Sequence, residues 1–430
     1  MVVLNVLIVV VAVLLTAMAA STLRWMMHAW HRPEAYESIG ADVTTPPPGT
    51  PLTFSLIVPC RDEPITVMRE TVRRLLAQDR SGIQVVISVG DDDRETVAHA
   101  FLLAQEFTGV VVSVNRDAVK NKPRQLNTAL RDCTGDVVGI MDAESLAAPG
   151  LIDRVDATFR RHDADIVQGA VHLVNLRSRW FSLRNCLEYR VWFRSRLHGH
   201  AGDGFLPLGG NTVFVRRVLL EEAGGWDGDC LAEDCEIGVR LSAQGRRTVC
   251  LYAPGLVTQE ETPDSVRAFI KQRTRWSLGF MQVLRKGEWR QLPTRAERVR
   301  AVWLLAQQFS CAFAGLVLPL AVTGAVVSDS PVLVVLIAFL PLAPTILTIA
   351  FENLVLSEYG TDMGVPIGFR DHLWLVASTP AYQILLALAA LRAIGKYTTG
   401  DFGWEKTAHI GAHLEPDVPA LALRAEGAAA

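Results

Sequence analysis

Val137-Val138-Gly139-Ile140-Met141-Asp142-Ala143-Glu144 is a short apolar run closed by two carboxylates at i and i+2. A run of this length reads as a strand buried on both faces, and at an extended chain end positions i and i+2 lie on one side. Similar β-rich runs stand at 54–58, 85–89 and 110–114, with helical patterns at 67–78 and 96–107 between them. That alternation predicts an α/β domain built on a parallel, doubly wound sheet. In such sheets ligands collect beyond the C-terminal strand ends. The runs here end on Cys60-Arg61-Asp62-Glu63, Asp91-Asp92-Asp93 and Asp142-Ala143-Glu144. Polar strand ends are ordinary in any α/β chain, so this convergence needs further residues to become a site.

Working outward, the 430 residues have room for two or three domains. Half are apolar, and the mean hydropathy of +0.23 is high for a soluble enzyme because the apolar residues gather at the two ends. A net charge of −3 gives no sign of nucleic-acid binding. The seven cysteines form no C-x-x-C pair, which argues against a disulfide framework or a zinc site.

Residues 2–20 are uncharged and long enough to cross a hydrocarbon core, placing a transmembrane helix in 1–23. No basic stretch precedes them, as a signal peptide would require. Arg24, His28, His31 and Arg32 place the following side in the cytoplasm. A Pro-rich linker is expected over 33–51 and the α/β domain over 52–292. A C-terminal membrane region (296–392) holds apolar spans at 301–327 and 331–350, joined by Ser328-Asp329-Ser330. A third run, 373–391, is interrupted by Ser378-Thr379-Pro380 and contains Gln383. Three C-terminal crossings would put the 393–430 tail outside, whereas Arg392, Lys396 and Lys406 favour inside. The third run is therefore expected to be interfacial or re-entrant. Segment 176–198 interleaves arginines with aromatics, as a helix lying on anionic headgroups or lining an acceptor path would, or a solvated amphipathic helix packed on the domain.

Several constellations can carry chemistry. Asp142 and Glu144 fit a divalent cation bound with a diphosphate, or a cap for the next helix. Lys122 can meet a phosphate as a point charge. Glu233-Asp234 opens a helical pattern stopped by Gly245, where an acid is either a dipole partner or a general base. Gly209-Gly210-Asn211 offers backbone that approaches a ligand closely. Gln272, Arg275 and Trp276 fall at i, i+3 and i+4 on one helix face, pairing a guanidinium fork with an indole platform.

In this order the residues resemble the membrane-bound family 2 glycosyltransferases, the superfamily of cellulose, chitin and hyaluronan synthases. The resemblance covers roughly residues 54–282. It rests on Val58-Pro59-Cys60-Arg61-Asp62-Glu63, Asp91-Asp92-Asp93, Lys122-Pro123-Arg124-Gln125-Leu126-Asn127 and the DxD-like Asp142-Ala143-Glu144. It continues through Leu208-Gly209-Gly210-Asn211, Ala232-Glu233-Asp234 in place of T-E-D, and Gln272-Arg273-Thr274-Arg275-Trp276 as a complete Q-x-x-R-W. Trp404-Glu405-Lys406-Thr407 resembles a W-x-K-T stretch that follows the last spans in a bacterial branch.

The resemblance implies a GT-A (Rossmann-like) catalytic domain flanked by transmembrane helices, a UDP-sugar donor, Mg²⁺ or Mn²⁺, and inversion at the anomeric carbon. It implies a hexosyltransferase. Glu63, Asp91, Lys122, Asp142 and Arg275 would bind the donor, and Asp142 and Glu144 the metal. Asp234, with Glu233, would be catalytic, and Gly210, Gln272 and Trp276 would lie on the acceptor side. Any of Asp91, Asp92 and Asp93 can take the uridine position, because the run allows a one-residue slip. The expected product is a β-linked polysaccharide or oligosaccharide made at the cell membrane by a multi-pass protein with a cytoplasmic catalytic domain. No gating-loop F-x-V-T-x-K signature is visible and the spans number three or four, which leaves processivity open. The alternatives are transfer of one sugar to a lipid carrier, or an inactive relative serving as a membrane scaffold or export partner; a homo-oligomer also stays open.

Overall fold

The computed structural model describes residues 2–31, 49–78, 80–202, 204–328 and 330–405. Most of the expected linker (33–48), Arg32, Asp329 and the tail from Lys406 onward lie outside the described residues.

Among the described residues nine strands form two sheets: β1 (Phe54–Pro59), β2 (Ile83–Gly90), β3 (Val110–Asn115), β4 (Val137–Ile140), β5 (Ile166–Gln168), β6 (Val171–Leu173), β7 (Val213–Arg216), β8 (Thr248–Cys250) and β9 (Thr258–Glu260). The larger sheet has the order β3-β2-β1-β4-β7-β5-β8, and β6 pairs with β9 separately. β1 to β4 are parallel, as the alternation predicts. One strand of this sheet departs from that expectation: β7 runs antiparallel to both β4 and β5, while β5 and β8 pair parallel. The chain reaches β7 only after the long helical excursion of 182–202, so no short right-handed crossover fixes its direction.

Phe54 is level with both Ile83 and Val137, and Val85 with Val110, so the four parallel strands end along one edge. Alternation in β1 sends Leu56 and Val58 to one face and Ile57 to the other. The first face packs on α2 (Ile65–Leu76), α3 (Arg94–Glu106) and α5 (Leu151–His162), through Met68, Leu103 and Phe159 among others. The second packs on α4 (Lys122–Leu130) and α9 (Glu233–Ala243), through Leu126 and Ile237. Asp93 caps α3 by accepting from the Thr96 amide at 3.1 Å.

The membrane-directed elements begin with α1 (Val2–His31). Its 30 residues span about 45 Å, against a hydrocarbon core of about 30 Å. It is longer than the 1–23 expected, and its last turns dock on the rest of the chain. The Ala29 amide donates to Ser195 Oγ at 3.0 Å, and Trp30 Nε1 donates to Glu358 at 2.9 Å. Apolar side chains on α1 such as Val3, Val10 and Leu14 face outward.

The chain returns through α10 (Val266–Lys286) to α11 (Arg295–Val327), which is started by a Thr294/Glu297 capping box. α11 contains the expected 301–327 span; among the described residues its apolar stretch is Val317–Val327. The expected 331–350 span is longer in the structure, where α12 (Val332–Phe339) and α13 (Leu342–Met363) continue one apolar stretch past Pro341. α14 (Phe369–Ala377) and α15 (Thr379–Thr399) are bent by 44° at Ser378, where the sequence places the interruption. By length and composition, α1 and the α12–α13 stretch can cross a membrane, and the bent pair makes a third candidate.

From Ser182 onward, segment 176–198 packs mostly within the protein. It forms α6 (Ser182–Val191) and a π-helical turn (Trp192–Arg196) leading into α7 (Leu197–Gly202), wedged against α13. Three of its arginines meet acids of that helix: Arg184 with Glu352 at 3.0 Å, Arg190 with Asp362 at 2.6 Å, and Arg194 with Glu358.

Candidate active site

The C-terminal end of β4 delivers Asp142 and Glu144, and a short bridge brings a third carboxylate beside them. Leu146 and Gln259 exchange amide-to-carbonyl bonds of 3.0 Å in both directions, which carries the end of β9 to this edge. Oxygens of Asp142, Glu144 and Glu260 then lie within 4.8 Å of one another. Asn211 organises the cluster: its Oδ1 accepts from the Asp142 amide at 3.2 Å, and its Nδ2 donates to Ser145 Oγ at 2.7 Å and to Glu260. Burial pushes the Glu260 carboxyl well above its usual range, and the charges of Asp142 and Glu144 push it further. An all-oxygen donor set with excess negative charge fits Mg²⁺ or Mn²⁺. The sequence reading missed Glu260. Its only trace there is the Glu260-Glu261 pair ahead of Pro263, which looks like a polar helix approach.

Lys122, in the first turn of α4, links this cluster to the second acidic motif. Its Nζ lies 2.6 Å from Asp142 Oδ1, 3.1 Å from the Gly210 carbonyl and 3.8 Å from Glu233 Oε1. Burial alone would lower its pKa, but Asp142 and Glu233 more than offset that and raise it, so the ammonium stays charged. Glu233 and Asp234 form the first turn of α9. Burial raises both carboxyls above their usual range; Lys122 and Arg275 oppose the rise in each, and the Cys235 amide opposes it at Asp234.

Gly210 has φ +69°, and a Cβ there would stand 2.5 Å from Asp234 Oδ2. Only glycine allows this backbone to lie against that carboxylate. The departure from T-E-D at Ala232 has a packing consequence, since a Cβ on Gly279 of α10 would come within 2.5 Å of the Ala232 Cβ. Small residues on both sides seat α10 tightly on the motif.

α10 starts at a Ser265 cap and presents Gln272, Arg275 and Trp276 to the cavity. Arg273, which also lines the cavity, is held by Glu188 at 2.8 Å and lies 4.5 Å from the Trp276 ring centre. Tyr189 stands 6.2 Å from Trp276 and 6.1 Å from Phe193, so three rings follow one another along the wall.

Glu63, Lys122, Asp142, Glu144, Gly210, Glu233, Asp234, Gln272, Arg275 and Trp276 all line one cavity of about 520 Å³. Asp91 does not; it sits half exposed with Lys120 Nζ at 2.6 Å from its carboxylate. Asp92 pairs with Arg61 at 2.8 Å, and Asp93 is committed to its cap. The cavity extends past Trp276 to Thr22 and Met26 of α1, Glu352 of α13 and Gln383 of α15.

The family described as glycosyltransferase like family 2 matches residues 48–279, more than half of the chain. A probable glycosyltransferase of Bacillus subtilis, YdaM, is 25% identical over 248 residues, covering 54% of this chain and 56% of that protein. A beta-monoglucosyldiacylglycerol synthase of a Nostoc species is 25% identical over 232 residues, covering 53% and 49%. A UDP-forming cellulose synthase catalytic subunit of Xanthomonas axonopodis pv. citri is 26% identical over 248 residues, covering 54% and 32%. The chain thus spans about half or less of the length of the curated relatives it matches. In fold it is similar to a mannosyltransferase of Pyrobaculum calidifontis, solved with GDP-Man and Mn²⁺. The TM-score is 0.56 and the identity 19%, covering 89% of this chain and 99% of that one. The sheet and helix arrangement is GT-A, and the chain belongs to glycosyltransferase family 2.

Proposed function

We propose that the chain is an inverting, metal-dependent membrane hexosyltransferase. It moves a sugar from a nucleoside diphosphate donor, expected to be a UDP-sugar, onto a hydroxyl of a β-linked polysaccharide or oligosaccharide at the cytoplasmic face of the cell membrane. One observation carries this reading: the β4-end carboxylates and Asp234 face the same cavity, with Lys122 between them. Lys122 and Arg275 meet the donor diphosphate. Asp142, Glu144 and Glu260 hold the divalent cation, which when bound neutralises charge on the leaving diphosphate. Asp234 accepts the proton of the incoming hydroxyl. The hydroxyl oxygen bonds to the anomeric carbon on the face opposite the diphosphate, whose carbon–oxygen bond breaks with the electron pair leaving on the nucleotide. Trp276 borders the acceptor.

Asp234→Asn should lower transfer by about 10²–10⁴-fold while nucleotide-sugar affinity stays within a few-fold. Unchanged turnover in that variant rejects the assignment of the base. A panel of nucleotide sugars with and without EDTA identifies the donor, and full activity in EDTA removes the metal. A second reading, transfer of a single sugar to a lipid, draws support from Thr22 and Met26 of α1 lining the same cavity. Product-length analysis separates the two: a monoglycosylated lipid as sole product sinks the polymer reading.

A further inference from the structure

Among the described residues three non-glycine positions have left-handed backbone, and two of them, Asp62 and Asp163, are aspartates, which visit that region more readily than most residues. The third is Thr212, at φ +52°. A branched β-carbon fits poorly there, and such strain persists only where the surroundings over-determine it. Thr212 is fully buried and does not line the cavity. It stands between Gly209-Gly210-Asn211 and the first residue of β7.

The surroundings hold this turn from several sides. The Thr212 carbonyl accepts from the Gly169 amide at 2.8 Å. Gln168, the last residue of β5, accepts from the Gly209 amide at 2.8 Å and donates to the Asn211 carbonyl at 3.0 Å. A Cβ on Gly169 would stand 2.6 Å from Thr212 Cγ2, so backbone is packed against the methyl as well. The hydroxyl is used too: Thr212 Oγ1 lies 2.8 Å from Oγ1 of Thr258, the first residue of β9.

Two consequences reach the acidic cluster. The reversal at Thr212 sends the chain into β7 while Asn211 stays over the end of β4. Asn211 Oδ1 accepts from the Thr212 amide at 2.6 Å as well as from the Asp142 amide, and its Nδ2 serves Ser145 and Glu260. The hydroxyl pair adds a second tie, because β9 begins at Thr258 and ends at Glu260. One hydrogen bond thereby joins the segment that carries Asn211 to the segment that carries Glu260.

Resting on the metal-dependent transferase reading above, we infer that Thr212 is a positioning residue for the cation cluster. It acts from behind the cavity wall, through its bond to Thr258 and through the backbone that orients Asn211. The strained conformation is kept because this turn and this hydroxyl are needed together: glycine would relax the backbone and lose the bond.

The test follows free Mn²⁺ by electron paramagnetic resonance as it is titrated onto the full chain in detergent, with UDP or GDP present, well below the melting temperature. Thr212→Val keeps the branched shape and removes the bond, whereas Thr212→Ser keeps the hydroxyl. The valine variant should bind Mn²⁺ about tenfold more weakly and the serine variant within about twofold of wild type. Thr258→Val breaks the same bond with the left-handed residue untouched, and should weaken Mn²⁺ by a similar factor. Joining the two valine substitutions should weaken it no further than either alone. A role confined to folding would lower melting temperatures and leave the affinity of the folded protein unchanged. Wild-type Mn²⁺ affinity in the valine variants therefore overturns the inference, as does equal weakening in Thr212→Ser and Thr212→Val. Should the Thr212 variants not fold, Thr258→Val decides alone. If the wild type takes up no Mn²⁺ with either nucleotide, the metal assignment fails first and the inference with it; if it takes up Mn²⁺, only the positioning role is at stake.

Discussion

Asp234 and Glu233 occupy the first turn of a helix, where an acid ordinarily serves as a dipole partner. The structure adds burial, which raises both carboxyls above the usual range. A base works only when deprotonated, so transfer should be retained at higher pH and lost as pH falls through a midpoint above the ordinary aspartate value of about 3.9. Stability runs the other way, because a raised carboxyl favours its protonated form on folding and loses that contribution as pH rises through the same window. A kcat/KM profile recorded beside thermal melts checks both signs; an acid limb at the ordinary value would contradict the burial argument. Glu260 makes a second case. Three carboxylates within 4.8 Å repel one another, so Glu260→Gln should raise the cation-free melting temperature by about 2–4 °C. The further rise on adding Mn²⁺ should shrink, and an undiminished Mn²⁺ shift would remove Glu260 from the ligand set. Residue-level legibility followed chain locality. Asp142 and Glu144 adjoin a recognisable strand, whereas Glu260 reaches them only through the Leu146–Gln259 bridge between segments more than a hundred residues apart.

At the scale of elements, the bend between α14 and α15 depends on a side chain from a distant helix. Arg184 serves the carbonyl of Leu375 and the carboxylate of Glu352 together, and its side chain is 8% exposed. Arg184→Gln should cost about 3–5 kcal/mol, because a buried carboxylate loses its partner. Glu352→Gln on that background should recover part of the loss. Denaturant melts of the two single variants and the double variant give the coupling, and simple additivity would show the pair to be incidental. The parallel strands and their helices were readable because period and β-branching are local signals. β7 was not, since four residues joined antiparallel into the sheet carry no directional mark in sequence. The arginine–aromatic segment was ambiguous for a similar reason. Its acidic partners lie on α13, roughly 170 residues further along the chain.

For the whole molecule, catalytic layer and membrane helices share contacts and one continuous cavity. Two stretches have the length and apolarity to span a bilayer, so the protein should stay in the membrane pellet through an alkaline carbonate wash, and release into the supernatant would refute membrane spanning. Hydropathy alone separates the apolar helices towards the two ends from the strands and helices between them. The single chamber shared by those parts was not legible in the sequence, because it depends on how α10, α13 and α15 meet. The docking of α1 has a mechanical corollary. Its final turns are bolted to Ser195 of the π-helical turn and to Glu358 of α13, so the part of α1 that lines the cavity is fixed relative to the rest of the wall, as if on a rigid post. Under the polymer reading proposed above, an enzyme held in this way cannot climb along a lengthening chain, and after every addition it would be the saccharide that slides.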